Sequence, residues 1–159
     1  MAEKEKINLK EEYEKLKFRL PDFNKLNEEF ELVRNENDYR REFLLRDIRR
    51  KMNDKIIFFC RIIEGLLFPT HANVISMHET KYFDDAMKKK ILDLYKHLMI
   101  FERESLRLDI IPNDEDDVKY INDIYNKWLD YKKEMRNIVD IMQDTWRKEE
   151  KIIPDNYFG

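Results

Sequence analysis

The chain has 159 residues, of which 41% are charged and 42% hydrophobic, with only 2 glycines and 4 prolines. This composition excludes collagen-like chains and glycine-rich linkers. The 31 basic and 34 acidic residues give a net charge of −3, so the chain has no bulk attraction to nucleic acid or anionic membranes. A single cysteine, Cys60, excludes an internal disulfide framework.

The length predicts a single domain, taken as residues 1–150, followed by a short tail over residues 151–159. The charged N-terminus has no apolar stretch of the kind found in secretory signals. The most apolar stretch, 56–68, is interrupted by Arg61 and Glu64 and is too short to cross a bilayer as a helix. We therefore predict a cytoplasmic protein without a membrane partner.

Apolar residues recur at steps of three and four, which predicts four long helical segments. The first is expected to kink or split at Pro21, because proline lacks the amide hydrogen and clashes with the preceding turn. Sustained period-two alternation and hairpin turn signals are missing from the sequence. We predict an all-α fold, an antiparallel up-down bundle of about four long helices with the first kinked at Pro21. The segments cover about 8–33, about 37–67, from 84 to before Pro112, and from the acidic stretch 113–117 onward.

The second segment becomes apolar on both faces in its second half, at Ile57, Phe58 and Cys60. A helix that is apolar all round is typical of burial on every side, so we expect this half at the centre of the fold. In the third segment, Glu102 falls within the apolar stripe. Since an unpaired buried charge is costly, we predict a partly buried ion pair with Arg49 or Lys55.

The fourth segment carries a strict alternation of three and four residues, the heptad pattern of a left-handed coiled coil. Lys132 is its only polar member. It either fixes register or oligomeric state, or extends its charged end out of the seam. The seam consists of Val118, Ile121, Tyr125, Trp128, Lys132, Met135, Val139, Met142 and Trp146.

The leading functional hypothesis is a non-enzymatic module that binds a protein partner or a second copy of itself through the exposed part of this seam. A homodimer is one form of this hypothesis. The candidate interaction residues are Tyr125, Trp128, Lys132, Met135, Met142 and Trp146.

The alternative is an RNA- or DNA-associated protein that binds through the arginine-rich second segment, where basic residues lie beside Phe43. Intrahelical acidic neighbours, such as Glu42 four residues before Arg46, favour an ion-paired surface instead. The candidate nucleic-acid contacts are Arg46, Arg49, Arg50 and Arg61.

The sequence offers little of what catalysis or cofactor binding requires. With Gly65 and Gly159 as the only glycines, a phosphate-binding loop cannot be built. Helix dipole and capping account for most of the acidic cluster that a Mg²⁺-dependent hydrolase would need. We therefore predict no enzymatic activity, no metal and no cofactor. That cluster is Asp114, Asp116, Asp117 and Asp123.

Two short stretches resemble known helical families. The run from Leu45 to Ile48, with Ile56 and Arg61, resembles an early helix of translin-type RNA-binding proteins. The stretch 20–23, followed by 44–57, resembles the helical domain of GINS replication subunits. Because these families are unrelated and each likeness covers a third of the chain or less, both indicate amphipathic periodicity, and neither family's residues are carried over.

Overall fold

The computed structural model describes residues 8–34, 39–70 and 73–148. Every secondary-structure element assigned within these ranges is a helix, as predicted. The described part holds six α-helices, whereas about four were predicted. The predicted tail, 151–159, lies outside the described residues. The helices are α1 (Leu9–Glu14), α2 (Phe23–Phe30), α3 (Leu44–Leu67), α4 (Val74–Thr80), α5 (Asp85–Ile110) and α6 (Asp114–Arg147).

The predicted first segment is two helices separated by residues 15–22, which include Pro21. Of the two outcomes expected for this segment, the split is therefore observed and the single kinked helix is wrong. Pro21 directly precedes Asp22, whose side chain caps α2 by accepting a hydrogen bond from the Lys25 amide at 3.0 Å. The Tyr13 hydroxyl of α1 donates to the Pro21 carbonyl at 2.8 Å. Pro21 and the Asp22 cap together define where α2 begins.

Helix α3 begins at Leu44, later than predicted, after a 3-10 turn over Arg41–Phe43. The expectation that its second half is buried on every side is wrong, because Phe58 is 58% exposed. Phe58 is two residues from both Ile56 and Cys60, which places it on the opposite side of the helix from these buried residues. The spacing of three and four predicts one inward stripe on this helix, in which Phe59 is half-buried and the other members are buried. The stripe consists of Leu44, Ile48, Met52, Ile56, Phe59, Ile63 and Leu66.

Helix α4 forms in the connection between the second and third predicted segments, where no long helix is predicted. Asn73 caps it by accepting a hydrogen bond from the Ser76 amide at 3.1 Å. A Cβ at Gly65 of α3 would lie 2.9 Å from the Ser76 hydroxyl oxygen. The missing side chain at Gly65 therefore allows α4 to approach α3, and Thr80 then donates to the Leu66 carbonyl at 3.1 Å.

The chain divides into two compact units, and the long helices α3, α5 and α6 each contribute to both. Unit 1 comprises the chain up to Ile57 together with Ile100–Trp128. Unit 2 comprises Phe58–Met99 together with the chain from Leu129. The core of unit 1 includes Leu26, Phe30, Ile48, Met52, Ile121 and Ile124, and that of unit 2 includes Ile63, Phe83, Leu94, Leu98, Met135 and Ile138. None of the described helices is both long and apolar enough to cross a membrane.

Candidate functional site

The buried side of α6 follows a heptad pattern, but in a register that the sequence predicts only in part. The predicted positions Ile121, Trp128 and Met135 are buried. The intervening positions lie one residue earlier than predicted, so that Tyr131 takes the place of Lys132, which is exposed. The buried stripe consists of Asp117, Ile121, Ile124, Trp128, Tyr131, Met135, Ile138 and Thr145.

This register leaves only some of the candidate interaction residues at the surface. Trp128 and Met135 are buried, and Tyr125 and Met142 are half-buried. Lys132 is exposed, and so is Trp146, at 42%. Tyr125 and Trp128 belong to unit 1, and the other four belong to unit 2.

Both tryptophans donate hydrogen bonds within their own units. In unit 1, Nε1 of Trp128 donates to Glu29 at 2.8 Å, and its ring lies 4.7 Å from that of Phe30, centroid to centroid. In unit 2, Nε1 of Trp146 donates to the buried Glu79 at 2.8 Å. These bonds satisfy the polar atom of each indole and fix the orientation of each ring.

The four candidate nucleic-acid contacts have different surroundings. Arg49 is completely buried, which removes it from any surface. Arg50 is exposed and pairs with Asp109 at 3.0 Å, whereas Arg46 is half-buried against an aromatic ring. Arg61 is exposed and belongs to unit 2, while the other three belong to unit 1.

The guanidinium of Arg49 connects three helices in unit 1. Its Nε donates to Asp117 of α6 at 2.5 Å. Its Nη1 donates to the backbone carbonyl of Ser105 on α5 at 2.9 Å and also to the Ser105 hydroxyl. Its Nη2 donates to Asp109, one turn further along α5. We call these four residues the Arg49 network.

Burial affects the two carboxylates of the network unequally. Burial raises the pKa of Asp109, but the hydrogen bonds from Arg49 and Arg50 outweigh it, and the pKa lies below the ordinary value of a carboxyl group. Asp117 is far less accessible, and burial raises its pKa above the ordinary value although the hydrogen bond from Arg49 opposes this. The buried guanidinium of Arg49 is therefore balanced by one partly solvent-exposed carboxylate, Asp109, and one buried carboxylate, Asp117.

A second buried polar pair lies beside the network. The Tyr120 hydroxyl of α6 donates to the side chain of Asn53 on α3 at 2.9 Å, and both residues are buried. The Tyr120 ring packs edge-to-face on Phe101 of α5, with centroids 5.8 Å apart. Burial raises the pKa of Tyr120, which keeps its hydroxyl protonated as a donor. The same three helices are thus joined a second time.

The prediction that Glu102 pairs with Arg49 or Lys55 is wrong. Glu102 lies 3.1 Å from its own neighbour Arg103, and its buried Oε2 accepts no hydrogen bond from the described residues. Lys55 instead lies 3.5 Å from Glu31. A buried ion pair between helices does form at Arg49, but its acids lie elsewhere on α5 and at the start of α6.

The last turns of α5 and the residue that follows them carry three exposed aliphatic residues, Leu106, Ile110 and Ile111, which we call the α5 patch. They are 43%, 80% and 64% exposed. Leu106 and Ile110 are four residues apart and so are neighbours on the helix surface. Ser105 and Asp109, each one residue earlier, belong to the Arg49 network. The network therefore anchors the turns of α5 that carry the patch.

The acidic start of α6 is occupied with capping and ion pairing. The side chain of Asn113 accepts hydrogen bonds from the amides of Glu115 and Asp116 at 2.8 and 3.2 Å. Asp116 also lies 3.6 Å from Arg107. Across residues 8–34, 39–70 and 73–148, no group of three His, Cys, Asp or Glu side chains is placed to hold a metal ion.

Family models, curated proteins and solved structures give no match to this chain. The likenesses of single segments to translin and GINS proteins therefore carry no family assignment.

The sequence contains a signal for the Arg49 network, namely charged residues at positions where the helical spacing expects buried apolar ones. Arg49 continues the buried series Leu45, Met52 and Ile56 at steps of four, three and four, so it occupies an inward position of α3. Asp117 begins the buried stripe of α6 in the same way. Two opposite charges at inward positions of two helices indicate a buried pair between them.

Proposed function

We propose that this chain is a non-enzymatic helical module that binds a protein partner through the α5 patch. The observation that carries the proposal is the exposure of three large aliphatic side chains at the C-terminal end of α5 and directly after it, at Leu106, Ile110 and Ile111. Grouped exposed apolar residues mark interaction surfaces, whereas single ones are ordinary on any protein. An up-down order of the long helices, as the sequence predicts, is part of the same proposal.

The surroundings of the patch are those of an interface. Arg103 pairs with Glu102 and Arg107 pairs with Glu104, so charged residues border the aliphatic ones. An apolar centre with a polar rim is the usual composition of a protein interface. Because the Arg49 network already holds this end of α5, binding there costs little ordering of the helix.

Self-association through the α6 seam has weaker support. Trp128 and Met135, which lie at the centre of the predicted seam, are buried within the chain. Lys132 and Trp146 remain exposed, but Trp146 already donates to Glu79. Sedimentation equilibrium distinguishes the two, since a self-associating seam gives a dimer whereas a patch for a different partner leaves a monomer.

Site-specific photo-crosslinking tests the proposal. A photoreactive residue in place of Ile110 should give one discrete protein adduct in the cells that make the chain, and Leu106→Glu should abolish it. Ile100→Glu is the matched control, because Ile100 is 64% exposed on the same helix but outside the patch. Adducts at position 110 that are diffuse and insensitive to Leu106→Glu would refute the proposal.

Nucleic-acid binding through the arginines of α3 remains the alternative. Of its four candidate contacts, Arg49 is enclosed and Arg50 is paired with Asp109, which leaves fewer cations for phosphates. A mobility shift at about 50 mM salt that disappears at higher salt would support this alternative. The absence of a shift at that salt would exclude it.

A further inference from the structure

Two arginines lie against one phenylalanine ring at the start of α3. The Cζ atom of Arg40 is 4.7 Å from the centroid of the Phe43 ring, and that of Arg46 is 4.9 Å from it. A guanidinium held on an aromatic face is partly shielded from water, and its charge–charge interactions are strengthened there. We call these three residues the Phe43 clamp.

The charges around the clamp are unevenly paired. Arg40 pairs with Asp47 at 3.3 Å, Arg50 pairs with Asp109, and Arg49 pairs with Asp109 and Asp117. Arg46 has no carboxylate within ion-pair distance among the described residues. Its buried Nε also finds no hydrogen-bond acceptor within the described part of the chain. Among the described residues these four guanidiniums therefore pair with three carboxylates, and Arg46 is the one left without a carboxylate.

The nearest available acid is already engaged. Asp117 lies close enough for Arg46 to lower its pKa, but its carboxylate accepts the hydrogen bond of Arg49. A buried donor without an acceptor is costly, and such groups in native proteins call for an explanation such as a bound ligand. The guanidinium of Arg46 is half-buried and is not fully satisfied by the described residues, so an acceptor from outside them would be its missing partner.

We propose that the Phe43 clamp binds a carboxylate through the guanidinium of Arg46, beyond the proposed role of the α5 patch. A carboxylate is planar and carries one negative charge, which matches the planar guanidinium and the single uncompensated charge. A phosphate dianion would bring a second charge close to Asp47 and Asp117. The carboxylate comes either from a small molecule or from an acidic side chain of a protein.

Side-chain NMR of the full chain tests the proposal directly. The Nε–Hε resonance of Arg46 is followed while sodium acetate, a blocked Ala-Glu-Ala peptide or inorganic phosphate is added at constant ionic strength. We expect acetate and peptide to shift this resonance saturably and to leave that of Arg50 in place. Equal affinity for acetate and peptide identifies a small-molecule site, and tighter binding of the peptide identifies a protein segment.

Variants assign the effect to Arg46. In the variants, binding is followed by the backbone amide resonance of Phe43, because replacing Arg46 removes the Nε–Hε resonance itself. Arg46→Gln should weaken acetate binding about tenfold, because it removes a charged hydrogen-bond donor, whereas Arg50→Gln should change it less than about twofold. Arg46→Lys keeps the charge and loses the planar fork, so it should weaken binding while preserving the fold.

Several results would overturn the proposal. These are no saturable shift with acetate or peptide, a phosphate response as strong as that to acetate, or a response only to a single-stranded oligonucleotide. A Glu36→Gln and Asp38→Asn double variant that moves the Arg46 resonance without any probe would also do so, since it would assign the guanidinium to the chain's own acids.

Discussion

Asp117 accepts a hydrogen bond at 2.5 Å from Nε of Arg49, a residue 68 positions earlier in the chain, and both side chains are almost completely withdrawn from water. The bond joins α6 to α3, and the remaining donors of the same guanidinium reach Ser105 and Asp109 of α5. A buried pair of this kind adds little net stability over an apolar one, but breaking it leaves a stranded charge. It fixes how these helices meet in unit 1.

Arg49→Met should strongly destabilise the protein. The methionine fills similar space but leaves Asp117 buried without its cation, and the expected loss in the free energy of unfolding is about 3–5 kcal/mol. Arg50→Gln is the control one residue away, because its ion pair is half-exposed and is worth about 1 kcal/mol or less. Urea denaturation measures both, and a loss for Arg49→Met no larger than for Arg50→Gln would contradict the burial of the network.

Tyr131→Ala and Lys132→Ala should differ sharply although they are adjacent. Tyr131 is 6% exposed and lies in the buried stripe of α6, whereas Lys132 is exposed. Truncating the buried aromatic should cost about 3 kcal/mol or more, and truncating the exposed lysine about 0.5 kcal/mol or less. Chemical denaturation of the two variants decides between the two registers of the heptad, since the register with Lys132 inside requires the reverse order.

The two tryptophans should respond differently to a soluble fluorescence quencher. Trp128 is 2% exposed and Trp146 is 42% exposed. The Trp146→Phe variant therefore reports on a shielded indole and should be quenched weakly by acrylamide. The Trp128→Phe variant reports on an accessible indole and should be quenched strongly. Equal quenching of both variants would mean that the described burial of α6 is wrong.

Acid should remove the contribution of Asp109 to stability. Its pKa in the folded protein lies below the ordinary value of ~4, so folding favours its ionised form. That contribution is complete above the ordinary pKa and is lost as the pH falls through the lower, folded value. The difference in the free energy of unfolding between the protein and Asp109→Asn should therefore shrink as the pH falls from about 5 to about 3. A difference that stays constant over this range would contradict the ion pairs of Asp109.

The sequence predicts the inward stripe of α3 well, because only one face of its first half carries aliphatic residues. Ile48 and Met52 are completely buried, as the spacing requires. It fails at Phe58, where apolar residues occupy both faces and periodicity gives no preference. Pattern reasoning works where the two faces of a helix differ and loses its discrimination where they do not.

The register of α6 shows the same limit in another form. Ile124 and Tyr125 are both apolar, as are Ile138 and Val139, so two heptad registers satisfy the spacing equally. The choice between the two registers depends on tertiary contacts. Asp117 lies in the buried stripe, where its carboxylate accepts the hydrogen bond of Arg49. The spacing of residues within one helix cannot predict a bond between residues so far apart in sequence.

The sequence did not predict the α5 patch for a related reason, since the exposure of an aliphatic residue depends on which surfaces the rest of the chain covers.

The central claim is that Arg49 and Asp117 act as one buried unit, and a double-mutant cycle tests it most directly. Arg49→Met leaves the buried carboxylate of Asp117 without its cation, and Asp117→Leu leaves the buried Nε of Arg49 without its acceptor, whereas the double variant leaves neither group unpaired at this bond. We predict that the double variant is more stable than the sum of the single losses implies, by about 2 kcal/mol or more in urea denaturation. Single losses that add to within about 0.5 kcal/mol would contradict the claim.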